Sequence, residues 1–448
     1  MVTRSSIMDM NSFRSEHSAA LSETTREMTD RREATLGASY RLFYRNPVHL
    51  VRGSGAYLWD ADGNKYLDMY NNVPSVGHSH PRVVAAISEQ AATLNTHTRY
   101  LSAGLVDYAD DLLTTMPDEI SQIMFMCTGS EANDLAIRVA RAYTGGTGII
   151  LSRESYHGNT ELTSAHSPAL GNAQALDPHA RTVAPPDAYR PPYSEAEVGA
   201  RFAESLQQTI DAMRADGIVF AGLLADSIFS SDGVFAGEPG MLKQAIDVVH
   251  LNGGVFIADE VQPGFARTGD AFWGFERHGV VPDIVTMGKP MGNGMPISGM
   301  AARPDVLEAF STKIPYFNTF GGTPVSIAAA QAVLDIIREE GLQERARLVG
   351  GELRAALATL AETHEAIGDV RGAGQYTGIE LVLDRESKSP AGPLALDVIE
   401  GLRFRGVLTS VAGPYGNVLK IRPTLAFQQP DIEWFVTALD EVLTEVGS

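Results

Sequence analysis

Apolar residues along this chain fall into two patterns: short unbroken runs, and longer stretches in which they recur every three or four positions. The runs 123–127 (IMFMC), 148–151 (GIIL), 219–225 (VFAGLLA), 255–258 (VFIA) and 284–287 (IVTM) read as buried strands, since no charged residue and only one threonine interrupts them. Thr128-Gly129-Ser130-Glu131-Ala132-Asn133 opens a helix after the first run, and helices are expected near 195–215 and 239–251. Strand and helix in alternation predict a mainly parallel sheet. Upstream, AYLW and KYLDMY flank the turn-rich Asp60-Ala61-Asp62-Gly63-Asn64 and predict a hairpin. Pro81 is placed to open a helix whose apolar face is Val83, Val84, Ile87, Ala91 and Leu94. Residues 165–195 show no period and carry two Pro-Pro pairs, so a long loop is expected there. A further helix is expected over 324–339, then helices, the segment GDVRGAGQYTGIELV and the strands RGVLTSV and NVLKIR. The division this suggests is a polar arm over 1–36, a small domain from 37–75 and 330–448, and a large domain over 76–329.

The chemistry concentrates between Asp259 and Gly294. One strand ends on Asp259, and Lys289 stands just past the next, between Gly288 and Pro290. A doubly wound sheet binds ligands at the carboxyl ends of its strands, so an acid and an amine meet where a cofactor would sit. Pyridoxal phosphate needs such a pair, a lysine for its aldehyde and an acid facing its ring nitrogen. Taken alone, Asp259 reads better as a loop cap and Lys289 as a solvated surface amine; the whole stretch favours the cofactor. Gly129 and Ser130 stand at a helix start, where free N–H groups favour an anion, although the same residues serve as a simple cap. Thr323 opens the 324–339 helix in the same way.

Composition narrows the class of partner. At 448 residues, 44% hydrophobic and 20% charged, the chain is an ordinary globular one with room for more than one domain. Its net charge of −20 argues against nucleic acid and makes any anion-binding pocket a local exception. Cys127 is the only cysteine, no apolar stretch is long enough to span a membrane, and the first thirty residues lack the apolar centre of a secretory signal. A cytoplasmic location is expected. His78 and His80 lack a completing ligand set, so no metal is expected. Gly372-Ala373-Gly374 has Thr377 where a dinucleotide fingerprint needs glycine and reads as a strand turn.

The stretch DEVQPGFARTGDAFWGFERHGVVPDIVTMGKPMGNG, with MYNNVPSVGHSHPRV, LNTHTRYL, YFNTFGGTPVS and NVLKIRP, resembles the class III pyridoxal-phosphate aminotransferases from about Tyr40 to the C-terminus. The resemblance implies an α/β protein of fold type I, with a large domain on a mainly parallel sheet and a smaller α+β domain from both chain ends. It implies Lys289 as the Schiff-base lysine, Asp259 at the ring nitrogen, Val261 under the ring, Gln262 at the ring hydroxyl and Tyr156 stacked on the ring. By it Gly129 and Ser130 hold the cofactor phosphate, and Thr323 reaches that of a neighbouring subunit in a homodimer. The NNV and NTxxRYL-like segments look most like the phospho-lyase branch. Elimination of phosphate from O-phosphoethanolamine or a related amino-alcohol phosphate is therefore the expected activity. The alternative is an ω-aminotransferase using pyruvate or another 2-oxo acid. Asp226-Ser227 stands where aminotransferases of this class often carry Glu-Pro, which puts their Glu–Arg substrate switch in doubt. For the substrate phosphate the candidates are Arg422 and Arg267, helped by Asn71, Asn72 and the His97 to Arg99 loop, because guanidinium grips phosphate with two parallel bonds. Each arginine reads equally as the partner of a carboxylate.

Overall fold

The computed structural model describes residues 6–190 and 194–446. Seven strands form the main sheet in the order Gln122–Met126, Ser298–Ala302, Ile284–Met287, Val255–Asp259, Phe220–Ala225, Gly148–Ser152 and Arg181–Val183. Only Ser298–Ala302 runs antiparallel to its neighbours. The five strands beyond it pair in parallel. Residues of the central strands are buried on both faces, which explains their unbroken apolar runs. Helices Gly129–Thr144 and Glu195–Ala215 cover opposite faces and belong to separate core clusters.

The expected hairpin forms, with Tyr57–Asp60 antiparallel to Lys65–Asp68. Val407–Leu408 joins it in parallel, so this small sheet draws strands from both ends of the chain. A second sheet packs nearby and contains Ile367–Ala373, Tyr376–Asp384, Ser410–Ala412 and Val418–Ile421. Gly372 and Gly374 form the tight turn between the first two of these strands, at φ 142° and 51°. The polar arm contains a helix, Glu23–Leu36, capped by the Ser22 side chain.

Two expectations change. The stretch 165–195 is not a bare loop: Arg181–Val183 adds an edge strand to the main sheet. Three residues are too few to show a period, so pairing rather than pattern makes this strand. Pro191, Pro192 and Tyr193 of the same stretch lie outside the described residues. In helix Pro81–Thr93 only Val83 is fully buried, while Val84 is exposed and Leu94 lies exposed just beyond the helix. Adjacent helical residues point about 100° apart, and here Val83 takes the core side while Val84 turns to solvent. No helix among the described residues is long and apolar enough to cross a membrane.

Candidate active site

Register builds the site. Asp259 ends its strand opposite Thr286 of the neighbouring parallel strand, and Lys289 follows three residues later. Gly288 lets the helix start approach: a side chain there would meet the Gly129 backbone nitrogen at 3.3 Å. These elements enclose a cavity of about 480 Å³, lined by Lys289, Asp259, Val261, Gln262, Gly129, Ser130 and Tyr156 among others.

Asp259 is buried and densely held. His157 Nδ1 lies 2.7 Å from its Oδ2, Asn133 Nδ2 donates to the same oxygen at 2.9 Å, and the Val261 amide donates to Oδ1 at 3.1 Å. Asn133 is fixed in turn by Thr286, whose hydroxyl donates to its Oδ1 at 2.6 Å. Burial alone would raise the Asp259 pKa, but the His157 hydrogen bond and charge, Asn133 and the Lys289 charge outweigh it and leave it lowered. Asp259 therefore stays ionised. Lys289 keeps partial solvent contact through the cavity, while its surroundings, first by desolvation and then by the charge of Arg422, bring its pKa down to about 8. A poised amine faces a fixed anion.

Thr128 and Glu131 form a capping box at the start of helix Gly129–Thr144. The Glu131 amide is thereby satisfied, and the first two amides, those of Gly129 and Ser130, have no intrahelical acceptor. A side chain at Gly129 would meet Val261 at 3.0 Å. The Ser130 hydroxyl accepts the Asn159 amide at 3.1 Å.

The other end of the cavity is cationic. Arg422 Nη1 donates to Asn72 Oδ1 at 2.7 Å and to Gln262 Oε1 at 2.8 Å, and its guanidinium lies 4.2 Å from the Tyr70 ring centre. Asn72 also donates to Gln262 at 2.9 Å, so it stands behind the cavity as a support. Lys420 lines the same space.

Arg267 is not gathered in. Its guanidinium is buried and donates to the backbone carbonyls of Pro423 and Gln375, where it ties two segments together rather than facing the cavity. Arg99 is exposed over the Phe317 ring, 4.4 Å from its centre. Asn71 turns its side chain back to the Val73 amide at 3.1 Å. Thr323 stands at the N-cap position of helix Pro324–Glu339 without a capping hydrogen bond and donates to the Ser326 hydroxyl at 3.3 Å, outside the residues lining the cavity. His78 pairs with Asp68 at 2.7 Å. Among the described residues no group of three or more His, Cys, Asp or Glu is placed to hold a metal ion.

Sequence reading missed His157, Asn133 and Lys420. His157 was adjacent to Tyr156 and Asn133 lay one helical turn beyond Ser130, but nothing in one sequence shows that both converge on a strand end far along the chain. Lys420 carried a signal, the alternation in VLKIR, in which Leu419 and Ile421 enter the core and Lys420 and Arg422 share the other face.

The family model for aminotransferase class-III matches residues 42–443. The chain belongs to this family. Proteins similar to it include the Caenorhabditis elegans ethanolamine-phosphate phospho-lyase homolog 1, 38% identical over 93% of each chain. The Drosophila melanogaster alanine–glyoxylate aminotransferase 2-like protein is 40% identical over 93% of this chain and 86% of its own. Among solved structures, an Arthrobacter phospholyase in complex with phosphoethanolamine is 40% identical, with a TM-score of 0.89 over 93% of this chain and 99% of the other. The class III cofactor is pyridoxal phosphate, and the residues present fit it. Lys289 offers a poised amine, Asp259 an enforced carboxylate, and the start of helix Gly129–Thr144 unpaired amides with no side chain at Gly129 to block approach.

Proposed function

We propose that this class III enzyme eliminates phosphate from O-phosphoethanolamine or a closely related amino-alcohol phosphate. The observation that carries the reading is a buried, positively charged cavity end beside Lys289 in a chain of net charge −20. Its likeness to the phosphoethanolamine-bound phospholyase supports the choice of substrate.

Pyridoxal phosphate, when bound, would supply the electron sink that makes the substrate Cα–H acidic. Asp259, kept anionic by His157 and Asn133, would hold a proton at the ring nitrogen. Lys289 Nζ takes the Cα proton, a role suited to an amine whose pKa is about 8. The Cβ–O bond then breaks, with its electron pair leaving on the phosphate oxygen, and Arg422 offsets the departing charge. The enamine product takes up water, so phosphoethanolamine plus water yields acetaldehyde, ammonia and inorganic phosphate. Only one substrate must be accommodated, which suits the absence of a glutamate at Asp226-Ser227.

The reading includes a two-fold homodimer in which Thr323 serves the neighbouring site. Exposed Tyr100, Leu101 and Phe320 support it, because large apolar side chains cluster in the 95–105 and 317–323 loops beside Thr323. Sedimentation of the cofactor-loaded protein as a monomer would remove this part.

The experiment is incubation of the cofactor-loaded protein with phosphoethanolamine alone and measurement of phosphate release. Repeated turnovers without a keto acid are expected. No release, with amine consumed only after pyruvate is added, would assign the protein instead to the aminotransferases, the reading favoured by the name of the Drosophila relative.

A further inference from the structure

The charges around the cavity do not pair off evenly. Asp259 is engaged by His157 and Asn133. Asp226 accepts the amides of Ile228 at 2.9 Å and Ser230 at 3.0 Å. Asp232, farther back, is held by the Ser152 hydroxyl at 2.6 Å and the Glu154 amide at 2.8 Å. Arg422 is spoken for by Asn72, Gln262 and the Tyr70 ring. Lys420 differs from all of these. Its residue is 8% exposed, it lines the cavity, and among the described residues its Nζ has neither a hydrogen bond nor an ion pair. Its amine reaches the cavity with no partner of its own, so its hydrogen-bonding capacity stays available to a ligand.

Its placement is also rigid. Strand Val418–Ile421 is paired on both sides, with Lys420 opposite Gly378 and Ser410. Leu419 and Ile421 anchor the strand in the core beneath it, so Lys420 and Arg422 are delivered to the cavity side by side. Two basic groups side by side, one committed to neighbours and one free, make an anion subsite.

We propose that Lys420 grips the phosphate of the substrate and sets the preference of this cavity for a phosphorylated amine, with Arg422 as a second, fixed positive charge. This deepens the elimination reading and rests on it for the identity of the substrate. Without a ligand, desolvation and the charges of Arg422 and Lys289 lower the Lys420 pKa, against the opposing pull of Asp226 and Asp232. Entry of a phosphate dianion restores the balance in favour of the ammonium.

The test compares the cofactor-loaded wild type with Lys420→Met and Lys420→Arg. Inorganic phosphate is titrated calorimetrically, and KM for phosphoethanolamine is measured beside it. Lys420→Met should weaken phosphate binding and raise KM by roughly 10- to 100-fold, the value of one or two charge-assisted hydrogen bonds. Lys420→Arg should recover most of both, and the visible absorption of the cofactor should stay unchanged in each variant. Equal phosphate binding by wild type and Lys420→Met, or no binding by the wild type, overturns the assignment. Phosphate titration needs no turnover. A wild type that binds phosphate through Lys420 yet releases none from phosphoethanolamine therefore defeats the elimination reading and leaves the subsite standing.

Discussion

The two ends of one cavity are built on opposite rules. Around Asp259 both carboxylate oxygens are held, Oδ1 by the Val261 amide and Oδ2 by His157 and by Asn133, itself fixed by Thr286; among the described residues only the far ring nitrogen of His157, Nε2, is buried there without a partner. Around Lys420 and Arg422 the polar inventory is incomplete: among the described residues the cavity-lining Lys420 Nζ has no partner, and Arg422 Nε is buried without a hydrogen bond. A network that holds its anion through both oxygens fixes geometry and ionisation in advance, as a resident cofactor requires. An unsaturated one keeps its donors for something that comes and goes. The difference teaches that burial of charge has two uses here, a permanent one and a transient one.

Each of the following measurements bears on that contrast. Lys289→Ala should lower phosphate release at least about 10⁴-fold, since it removes both the cofactor's covalent partner and the base. Borohydride reduction should then leave no cofactor on the chain; retained turnover would remove Lys289 from the chemistry. Asp259→Asn keeps the shape but not the charge, and should lower turnover by roughly 10²- to 10³-fold while weakening cofactor retention on dialysis, an electrostatic loss of about 3–4 kcal/mol. The same carboxylate predicts an acid limb of stability. Its folded pKa is lowered, so its contribution is present above the unfolded value of about 3.9 and is lost as pH falls through the lower folded value. The unfolding midpoint of Asp259→Asn should therefore depend less on pH below about 4 than that of the wild type.

Arg422→Ala should raise KM for phosphoethanolamine by roughly 10- to 100-fold with little change in cofactor retention. Loss of both in equal measure would mean that the two ends are not separate, because Arg422 also holds Gln262. Cofactor uptake by the apo-protein should rise about tenfold per pH unit and level off near pH 8, where Lys289 loses its proton. A plateau only near the ordinary lysine value would show that burial does not tune it. The smallest effect expected is that of Gly129→Ala. Its methyl group would press on Val261 at 3.0 Å, which costs about 1 kcal/mol of cofactor affinity and leaves KM for phosphoethanolamine unchanged.

Much of this was legible in the residues themselves. Unbroken apolar runs announced the central strands because both faces of a parallel sheet are covered, and Asp259 and Lys289 stood at strand ends by local order alone. The hairpin at Asp60–Asn64 and the helix Pro324–Glu339 followed from turn and capping chemistry, which acts over a few residues. What stayed hidden depends on contacts far apart in the chain. Asn133, His157 and Asp259 meet only because three segments are stacked by the sheet order, 126 residues separating the first from the last. Arg267 and Arg422 looked alike as candidates, and packing alone gave one to backbone carbonyls and the other to the cavity. The sequence determined which groups exist and the local elements that carry them, since those follow from short-range sterics and hydrogen bonding. Tertiary structure decided which charges are desolvated together, and that sets both the ionisation of Asp259 and the free donor on Lys420.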